Sequence, residues 1–431
     1  MNSYNEALTW IHGLLKFGIK PGLKRVEWLL QRTGNPKKKI KCIHIAGTNG
    51  KGSTVEYLRS IFNEAGYNVG TFTSPYLITF NERVSINKEP IKNDELLEYA
   101  KLLKPLVDEL TETSLGSPTE FEVITVISLL YFAEKQPDIV IYETGLGGLY
   151  DSTNVITPIL SLISNIGYDH MGILGDTIED IAFQKAGIIK KDVPVITTVE
   201  QIEALNVIEK KAKTVNSDTY ILSRDFSVLH KKSSDNGEGF LYTGLKDLNI
   251  SAEISMKGTH QVKNAGLALA AVEYLTGKGF YRIDPEKIKA GLFRANWAGR
   301  FEKVSSSPDI IIDGAHNHQG IQALKQTIEN HYKGRKMYLL FAALHDKAYK
   351  NMMKELENII DEAYFTTFDF PRAASAEQLL AESPFRKSCA ISSWNDALKE
   401  AKKKLKDEDV LVITGSLYFI SEVRKSFQNM E

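Results

Sequence analysis

Only two cysteines, Cys42 and Cys389, occur in 431 residues. They are far apart and each lies in a strand-like run, which reads as buried free thiols. A disulfide-stapled fold or a cysteine-rich metal site is thereby disfavoured. No apolar stretch approaches membrane-spanning length, and the N-terminus, M-N-S-Y-N-E-A-L-T-W, lacks a basic segment followed by an apolar one. A cytoplasmic protein with no membrane partner is expected. Neither charge sign is in excess, with 53 basic against 54 acidic residues and a formal net charge of -1. That balance argues against a nucleic-acid groove, although a small anionic substrate needs only a few positive groups. Internal repeats and low-complexity tails are missing too. What remains is 43% hydrophobic and 25% charged, an ordinary globular composition. The length exceeds what one hydrophobic core usually reaches, so two or three domains are expected.

The chain is organised around I-H-I-A-G-T-N-G-K-G-S-T, residues 43–54. A short apolar strand precedes it. A helix follows, with Val55, Leu58, Ile61 and Phe62 apolar at helical spacing. Glycines let the backbone turn its N–H groups onto phosphates, and the helix adds its positive N-terminal end. The order Lys51-Gly52-Ser53 departs from the commonest G-x-x-x-x-G-K-[ST] spacing. Even so, the lysine and hydroxyls in this register point to a nucleoside triphosphate.

Around this stretch the pattern alternates between strands and helices. Residues 3–32 read as one or two amphipathic helices broken between Gly18 and Gly22. Residues 67–73 read as a second strand, F-N-E-R-V-S-I-N as an exposed strand or loop, and 93–110 and 119–134 as helices. Apolar strands follow at 138–143 and 159–165. Near-continuous β-branched strands separated by helices argue for a mostly parallel sheet covered on both faces. Ligand groups then belong at the carboxyl ends of strands, where Gly47, Ser74, Glu143 and His170 are expected. Residues 217–258 read as a small hairpin-rich section. Beyond residue 297 a second α/β series runs through D-I-I-I-D, M-Y-L-L-F-A-A, A-Y-F-T-T-F and D-V-L-V-I-T-G-S. The expected domains are 1–297 and 298–431.

Several polar residues stand out against this frame. Glu143 ends a buried-looking strand, where a carboxylate is costly unless paired or bound to a cation. His170 is expected at the end of the next strand, although imidazole is an unusual magnesium ligand. The plainer reading of this pair is a capping acid and a hydrogen-bonded histidine. By spacing alone Lys185 is an ordinary surface lysine. Asp313 and His316, with Arg300, give the second domain polar groups suited to a nucleotide; a local turn network is the plainer alternative, and His318 reads as an ordinary loop histidine. The only N-K pair, Asn87-Lys88, leads into Glu89-Pro90, which disfavours a guanine-nucleotide switch. Lys51 likewise fits phosphate charge better than a dinucleotide-binding turn does.

Taken together, ten ordered stretches resemble the folylpolyglutamate synthase/dihydrofolate synthase family within the Mur ligase superfamily. They are H-I-A-G-T-N-G-K-G-S at 44–53, T-S-P-Y-L at 73–77, F-N-E-R-V at 80–84, G-L-G-G-L-Y-D-S-T-N-V at 145–155, D-H-M-G-I-L-G-D-T at 169–177 and Q-K-A-G-I-I-K at 184–190, then H-Q-V-K-N-A at 260–265, W-A-G-R-F-E at 297–302, D-G-A-H-N at 313–317 and T-G-S-L-Y at 414–418. The resemblance implies an α/β protein. Its N-terminal part is a mostly parallel-sheet P-loop ATPase domain with a small β-rich section; its C-terminal part is a Rossmann-like α/β domain of the Mur ligase type. It also implies an ATP-dependent amide ligase that adds L-glutamate to reduced folates through an acyl phosphate, and dihydropteroate is a second candidate acceptor. The implied cofactors are ATP and Mg2+, with K+ as a further candidate cation, and a monomer is expected.

Residue by residue, the resemblance places Asn49, Gly50, Lys51, Gly52, Ser53 and Thr54 on the phosphates and their magnesium. Ser74, Glu143, His170 and Lys185 become metal-site residues, Lys185 as a carbamate, because reaction with CO2 turns a cationic amine into an oxygen ligand. Asn264, Arg300 and Asp313 become nucleotide contacts. His316 and Ser416 face the incoming glutamate or the reacting carboxyl, and Arg83 lies near that carboxylate end. Phe80, Asp151 and Ser152 belong to the pteroate side. Lys51, Lys185 and His316 are the implied catalytic residues. Domain closure is expected, since water would compete for the acyl phosphate.

Three departures from the family pattern occur. Tyr76 replaces a common histidine, Leu149 and Ser152 stand in the G-L-G-G-R-x-D-A-T-N motif, and Gln184 replaces a glutamate. None removes an implied metal ligand, but the missing arginine at 149 weakens a folate contact. Two alternatives fit less well. A cell-wall Mur ligase would need room for a UDP-sugar domain, which a phosphate-loop strand starting near residue 41 does not leave. A non-catalytic ATP-dependent switch would not need the conjunction of Glu143, His170, Lys185 and the later polar groups.

Overall fold

Apolar runs too continuous for a half-exposed sheet become strands buried on both faces. In the computed structural model, which describes residues 1–18, 20–246 and 248–428, the first eight strands, of which β1, β2, β5, β6 and β7 are buried throughout, are β1 (Cys42–Ala46), β2 (Val69–Phe72), β3 (Val84–Ile86), β4 (Glu89–Pro90), β5 (Ile139–Glu143), β6 (Leu160–Ile163), β7 (Val195–Thr197) and β8 (Thr219–Ile221). They form one sheet in the order β4-β3-β2-β5-β1-β6-β7-β8. β2, β5, β1, β6, β7 and β8 run parallel, and β3 and β4 add an antiparallel edge. All five residues of β1 and of β5 are buried. Helices Asn93–Thr111 and Glu120–Lys135 supply one apolar cluster, with Leu103, Val107, Val123 and Ile127 among its members. Ile178–Ala186 and Ile202–Thr214 supply another, with Ile181, Ala182 and Ile208. Thr119 caps the second of these helices through a reciprocal box with Glu122.

Contacts divide the chain into two units. One comprises Met1–Val228, Tyr242–Ile250 and Lys263–Arg294; the other comprises Leu229–Leu241, Ser251–Val262 and Ala295–Glu431. The hairpin-rich section is a three-stranded sheet of β9 (Ser227–Ser234), β10 (Gly237–Thr243) and β11 (Asn249–Ile254), in the order β11-β10-β9.

The second unit holds β12 (Glu302–Ser306), β13 (Asp309–Ile312), β14 (Met337–Phe341), β15 (Glu362–Thr367), β16 (Ser388–Ser393) and β17 (Val410–Thr414). Their order is β12-β13-β17-β14-β15-β16, parallel except for β12. The expected series lacked β12 and β16. Their residues are mostly half-buried or exposed, so neither has the apolar run that marks a central strand.

Three expectations change. F-N-E-R-V-S-I-N is not exposed: Phe80, Asn81, Val84 and Ser85 are buried, and the segment is a single 3-10 turn (Phe80–Arg83) followed by β3. The run of polar letters misled because Asn81 is satisfied internally, donating to the Ile91 carbonyl at 2.7 Å and accepting from Tyr4 Oη at 2.9 Å. His170 does not end a strand; β6 stops at Ile163, and His170 opens the short helix Met171–Leu174 in a left-handed conformation, φ 53°. β5 and β6 are also not neighbours, because β1 lies between them.

One buried carboxylate ties the second unit's β-segment to its helix His318–His331. Glu238, on β10, is fully buried and accepts from His331 Nε2 at 2.8 Å, the Gly258 N–H at 2.7 Å, Ser233 Oγ at 2.6 Å and His230 Nε2 at 2.8 Å. Burial alone would raise its carboxyl; the bonds from His331, Ser233, Gly258 and His230 carry it down to about 2. A depressed folded-state pKa contributes stability that is present above the unfolded value and lost as pH falls toward 2. Calorimetry should show the second unit's transition falling as pH drops below about 4.3, the ordinary glutamate value. Glu238→Ala should cost about 3–5 kcal/mol and flatten that pH dependence; an unchanged acid limb would contradict this account.

Candidate active site

The phosphate loop is shaped by what lies beneath it. Gly47 follows β1, and a Cβ there would fall 1.9 Å from Ser164 Oγ. Ser164 Oγ donates to the Asn49 carbonyl at 2.6 Å, the Asn49 N–H donates to Asn165 Oδ1 at 2.7 Å, and the Thr48 N–H donates to the Asn165 carbonyl at 3.0 Å. Thr48 Oγ1 closes the clamp by donating to the Gly167 carbonyl at 3.1 Å. The loop is therefore fastened to the segment leaving β6, the strand beside it. Gly50 has φ 85°, and its Cβ would sit 2.3 Å from Asn264 Oδ1, so this position needs glycine twice over. That same approach brings Asn264 against the loop.

The helix Lys51–Glu64 starts directly after Gly50. Thr54 is fully buried and its hydroxyl donates to the Gly50 carbonyl at 2.9 Å, so it is spent inside the helix; Ser53 is the neighbouring hydroxyl. Lys51 Nζ folds back on the loop, donating to the Gly47 carbonyl at 3.0 Å, and lies 4.0 Å from Glu143 Oε1. Glu143 is only 5% exposed at the end of β5 and accepts from the Ser74 N–H at 3.3 Å.

Lys185 overturns the reading drawn from its spacing. It is 3% exposed, not a surface lysine. Burial lowers its amine to about 7, the Lys51 charge adds to that, and Asp169 and Asp151 oppose it. A helical pattern cannot reveal this, because the burial comes from the loop packed over it: the Leu149 N–H donates to the Gln184 carbonyl at 2.7 Å, and a Cβ on Gly148 would meet the Lys185 carbonyl at 2.9 Å. His170 is exposed, with Nε2 3.8 Å from Asp169 Oδ1. Asp169 stands beside His170 in D-H-M-G-I-L-G-D-T, and nothing in its spacing marks it.

Asp151 is buried and works within its own loop, accepting from the Leu146 N–H at 2.7 Å, the Thr153 N–H at 3.0 Å and Thr153 Oγ1 at 2.5 Å. Thr153 Oγ1 in turn accepts from His44 Nε2 at 2.8 Å, deep in β1. Burial, with Lys190 second, lowers His44 to about 3 and keeps it neutral. Ser152 is buried beside Asp151. Phe80 is also buried, edge-on to His12 at 5.2 Å and to Tyr76 at 5.8 Å. The Arg83 guanidinium lies 5.1 Å from the Tyr76 ring centre, with Nη2 3.5 Å from Glu120 Oε1 and Nε buried without a partner among the described residues.

In the second unit, Asp313 and His316 follow β13, and Ser416 follows the adjacent parallel strand β17. Asp313 accepts from the Phe301 and Ala315 N–H groups at 2.8 and 2.9 Å. His316 Nδ1 donates to the Gly314 carbonyl at 2.8 Å, which fixes the proton on that nitrogen. Arg300 lies at the same corner; a Cβ on Gly314 would meet its Nη1 at 3.1 Å. His260, which spacing does not mark, is half-buried here with its Nδ1 enclosed, and the charges of Asp313 and Arg300 act on it.

Among the described residues no cluster of three or more His, Cys, Asp or Glu side chains could hold a metal by itself. The donors present are the Glu143 carboxylate and the Ser74 hydroxyl, with His170 and Asp169 on the loop after β6. Such a sparse oxygen set fits magnesium, which keeps waters and takes one or two protein ligands plus substrate phosphates.

Comparison with known proteins gives the family. Residues 45–272 match the Mur ligase middle domain and residues 299–417 match the Mur ligase glutamate ligase domain. The chain is 45% identical over 424 residues to the dihydrofolate synthase/folylpolyglutamate synthase of Bacillus subtilis (strain 168), covering 98% of this chain and 99% of that protein. The solved structure of Mycobacterium tuberculosis folylpolyglutamate synthase complexed with ADP superposes with a TM-score of 0.91 at 29% identity, covering 98% of this chain and 99% of that one. The structure of E. coli FolC in complex with DHPP and ADP superposes with a TM-score of 0.88 at 28% identity, covering 100% and 98%. The chain belongs to the folylpolyglutamate synthase/dihydrofolate synthase family of Mur ligases.

Proposed function

We propose that this protein joins L-glutamate to folates in an ATP-dependent reaction. The reading is carried by one observation: Lys51, Glu143 and the buried Lys185 converge at the carboxyl edge of the first sheet, around a phosphate loop clamped from below. The folate γ-carboxylate attacks the γ-phosphorus of ATP, ADP leaves, and an acyl phosphate forms. The glutamate amine then attacks the acyl carbon and phosphate is expelled. Two anions must meet in the first step, so fixed positive charge and N–H groups oriented beforehand lower its barrier.

Lys51 would swing from the Gly47 carbonyl onto the β- and γ-phosphates, with the N–H groups of Gly50 and Gly52 around them; the Asn49 N–H is engaged by Asn165 Oδ1 and would act by holding the loop. Ser53 is the better placed hydroxyl, since Thr54 is engaged in the helix. Ser74, Glu143, His170 and a carbamylated Lys185 would hold magnesium, which supplies charge neutralisation at the transferring phosphate. A buried amine near pKa 7 is about half free base at neutral pH, and that is the form that reacts with CO2. Asn264, Arg300 and Asp313 would contact the nucleotide, and His316 and Ser416 the glutamate or reacting carboxyl. Phe80, Arg83, Asp151 and Ser152 belong to the folate side; Phe80 and Asp151 would act by shaping the wall, given their burial. Dihydropteroate is proposed as a second acceptor. Residues 1–297 would carry ATP binding and 298–431 the glutamate-ligase part, working in the cytoplasm as a monomer.

Incubation with ATP, magnesium, tetrahydrofolate and labelled glutamate should extend the glutamyl chain and release phosphate; folate-independent ATP hydrolysis alone would reject the reading. Substituting dihydropteroate tests the second acceptor. Gly47→Ala should raise the ATP Kd by roughly tenfold or more, because the methyl must displace Ser164 and loosen the clamp. Lys185→Ala should lower kcat by about 100-fold or more while changing the ATP Kd much less. Short carboxylic acids should restore part of that kcat, and unchanged turnover would remove Lys185 from the mechanism.

A further inference from the structure

A second cationic feature lies in the first unit. A cleft of about 690 Å³ is lined by Lys24, Lys190, Lys191 and Lys211 and by a single carboxylate, Glu27. Arg25 also lines it, but its guanidinium is committed to the buried Glu122 at 2.9 Å. The lysines press on one another: burial lowers the Lys190 amine, Lys211 and Lys37 lower it further to about 8, and Glu27 only partly opposes them. An anion in the cleft would relieve that repulsion.

The wall of this cleft is shared with the candidate active site. Leu149, Tyr150 and Asn154 line it from the loop that carries Asp151 and Ser152, and Gly187 lines it two residues beyond Lys185. The joint is tight. Asn154 Nδ2 donates to the Leu149 carbonyl at 3.0 Å and the Gly187 carbonyl at 3.2 Å, and a Cβ on Gly187 would fall 2.3 Å from the Leu149 Cα. Asn154 Oδ1 is buried without a hydrogen-bond partner among the described residues.

We propose that this cleft binds the γ-linked oligoglutamate tail of the folate, with internal α-carboxylates on the four lysines and methylenes against Leu149 and Tyr150. The inference rests on the folate-glutamate ligase reading. Each γ-linked residue leaves one free α-carboxylate, so the tail is a polyanion whose charge is spread along a chain. Four lysines spread over a cleft match that distribution better than they match a single compact phosphate. The tail also presents amide N–H groups, which an unmatched carbonyl oxygen such as Asn154 Oδ1 can accept.

The test is equilibrium titration of the full chain with pteroyl-monoglutamate, pteroyl-pentaglutamate and free tetra-γ-glutamate, at low and high salt. Wild-type protein should bind the pentaglutamate more tightly than the monoglutamate, lose that advantage in salt, and bind free tetra-γ-glutamate. Lys191→Gln/Lys211→Gln, chosen because neither side chain is part of the core, should lower the ratio of penta- to monoglutamate affinity by about tenfold. Lys24→Gln should lower it in the same direction, which guards against a folding defect in the double variant. An unchanged ratio in both variants, or no advantage for the longer tail in wild type, overturns the proposal. Normal ligation with a tail-independent affinity would sink this inference alone. Tail binding without any ATP-dependent product would instead sink the ligase reading.

Discussion

The clamp between residues 47–50 and residues 164–167 is the constraint on which the first unit's chemistry depends. A phosphate loop needs its N–H groups held outward before the ligand arrives; otherwise ordering them would consume binding energy. Here the ordering is done by Ser164, Asn165 and Gly167, just past the neighbouring strand. Because β1 lies between β5 and β6, Glu143 and the clamp approach the loop from opposite sides. Lys51 is then left between Glu143 and the loop carbonyls, close to where the triphosphate charge has to be met.

Much of this was legible in the sequence, for physical reasons that can be named. Strands buried on both faces advertise themselves as apolar runs, so β1, β5, β6, β14 and β17 were found where they lie. β12 and β16 gave no such signal, because edge strands that face water need no apolar run. Phe80 to Ile86 was misjudged because a buried asparagine with all its partners inside looks, letter by letter, like a solvated one.

The site divides in the same way. The loop glycines and Lys51 were readable because backbone geometry restricts which residues can stand there. Lys185 was not: its burial depends on contacts from Gly148 and Leu149, far away in sequence, and only the family resemblance raised it above an ordinary lysine. Asp169 and His260 escaped because their significance lies in what charges stand near them, Lys185 for one and Asp313 with Arg300 for the other. Spacing carries local geometry well and remote electrostatics hardly at all.

The bond chain from His44 through Thr153 to Asp151 has a consequence for how the loop can vary. Its backbone is held by residues 151, 153 and 154, which reach into β1 and onto the turn after Lys185. Position 152, one departure from the family's usual pattern, lies between those fixed points, and position 149, another, is itself held through its backbone by Gln184 and Asn154. Side chains there can be exchanged while the frame stays still. Selection can therefore retune which acceptor is preferred one residue at a time, on a scaffold whose geometry each trial leaves intact.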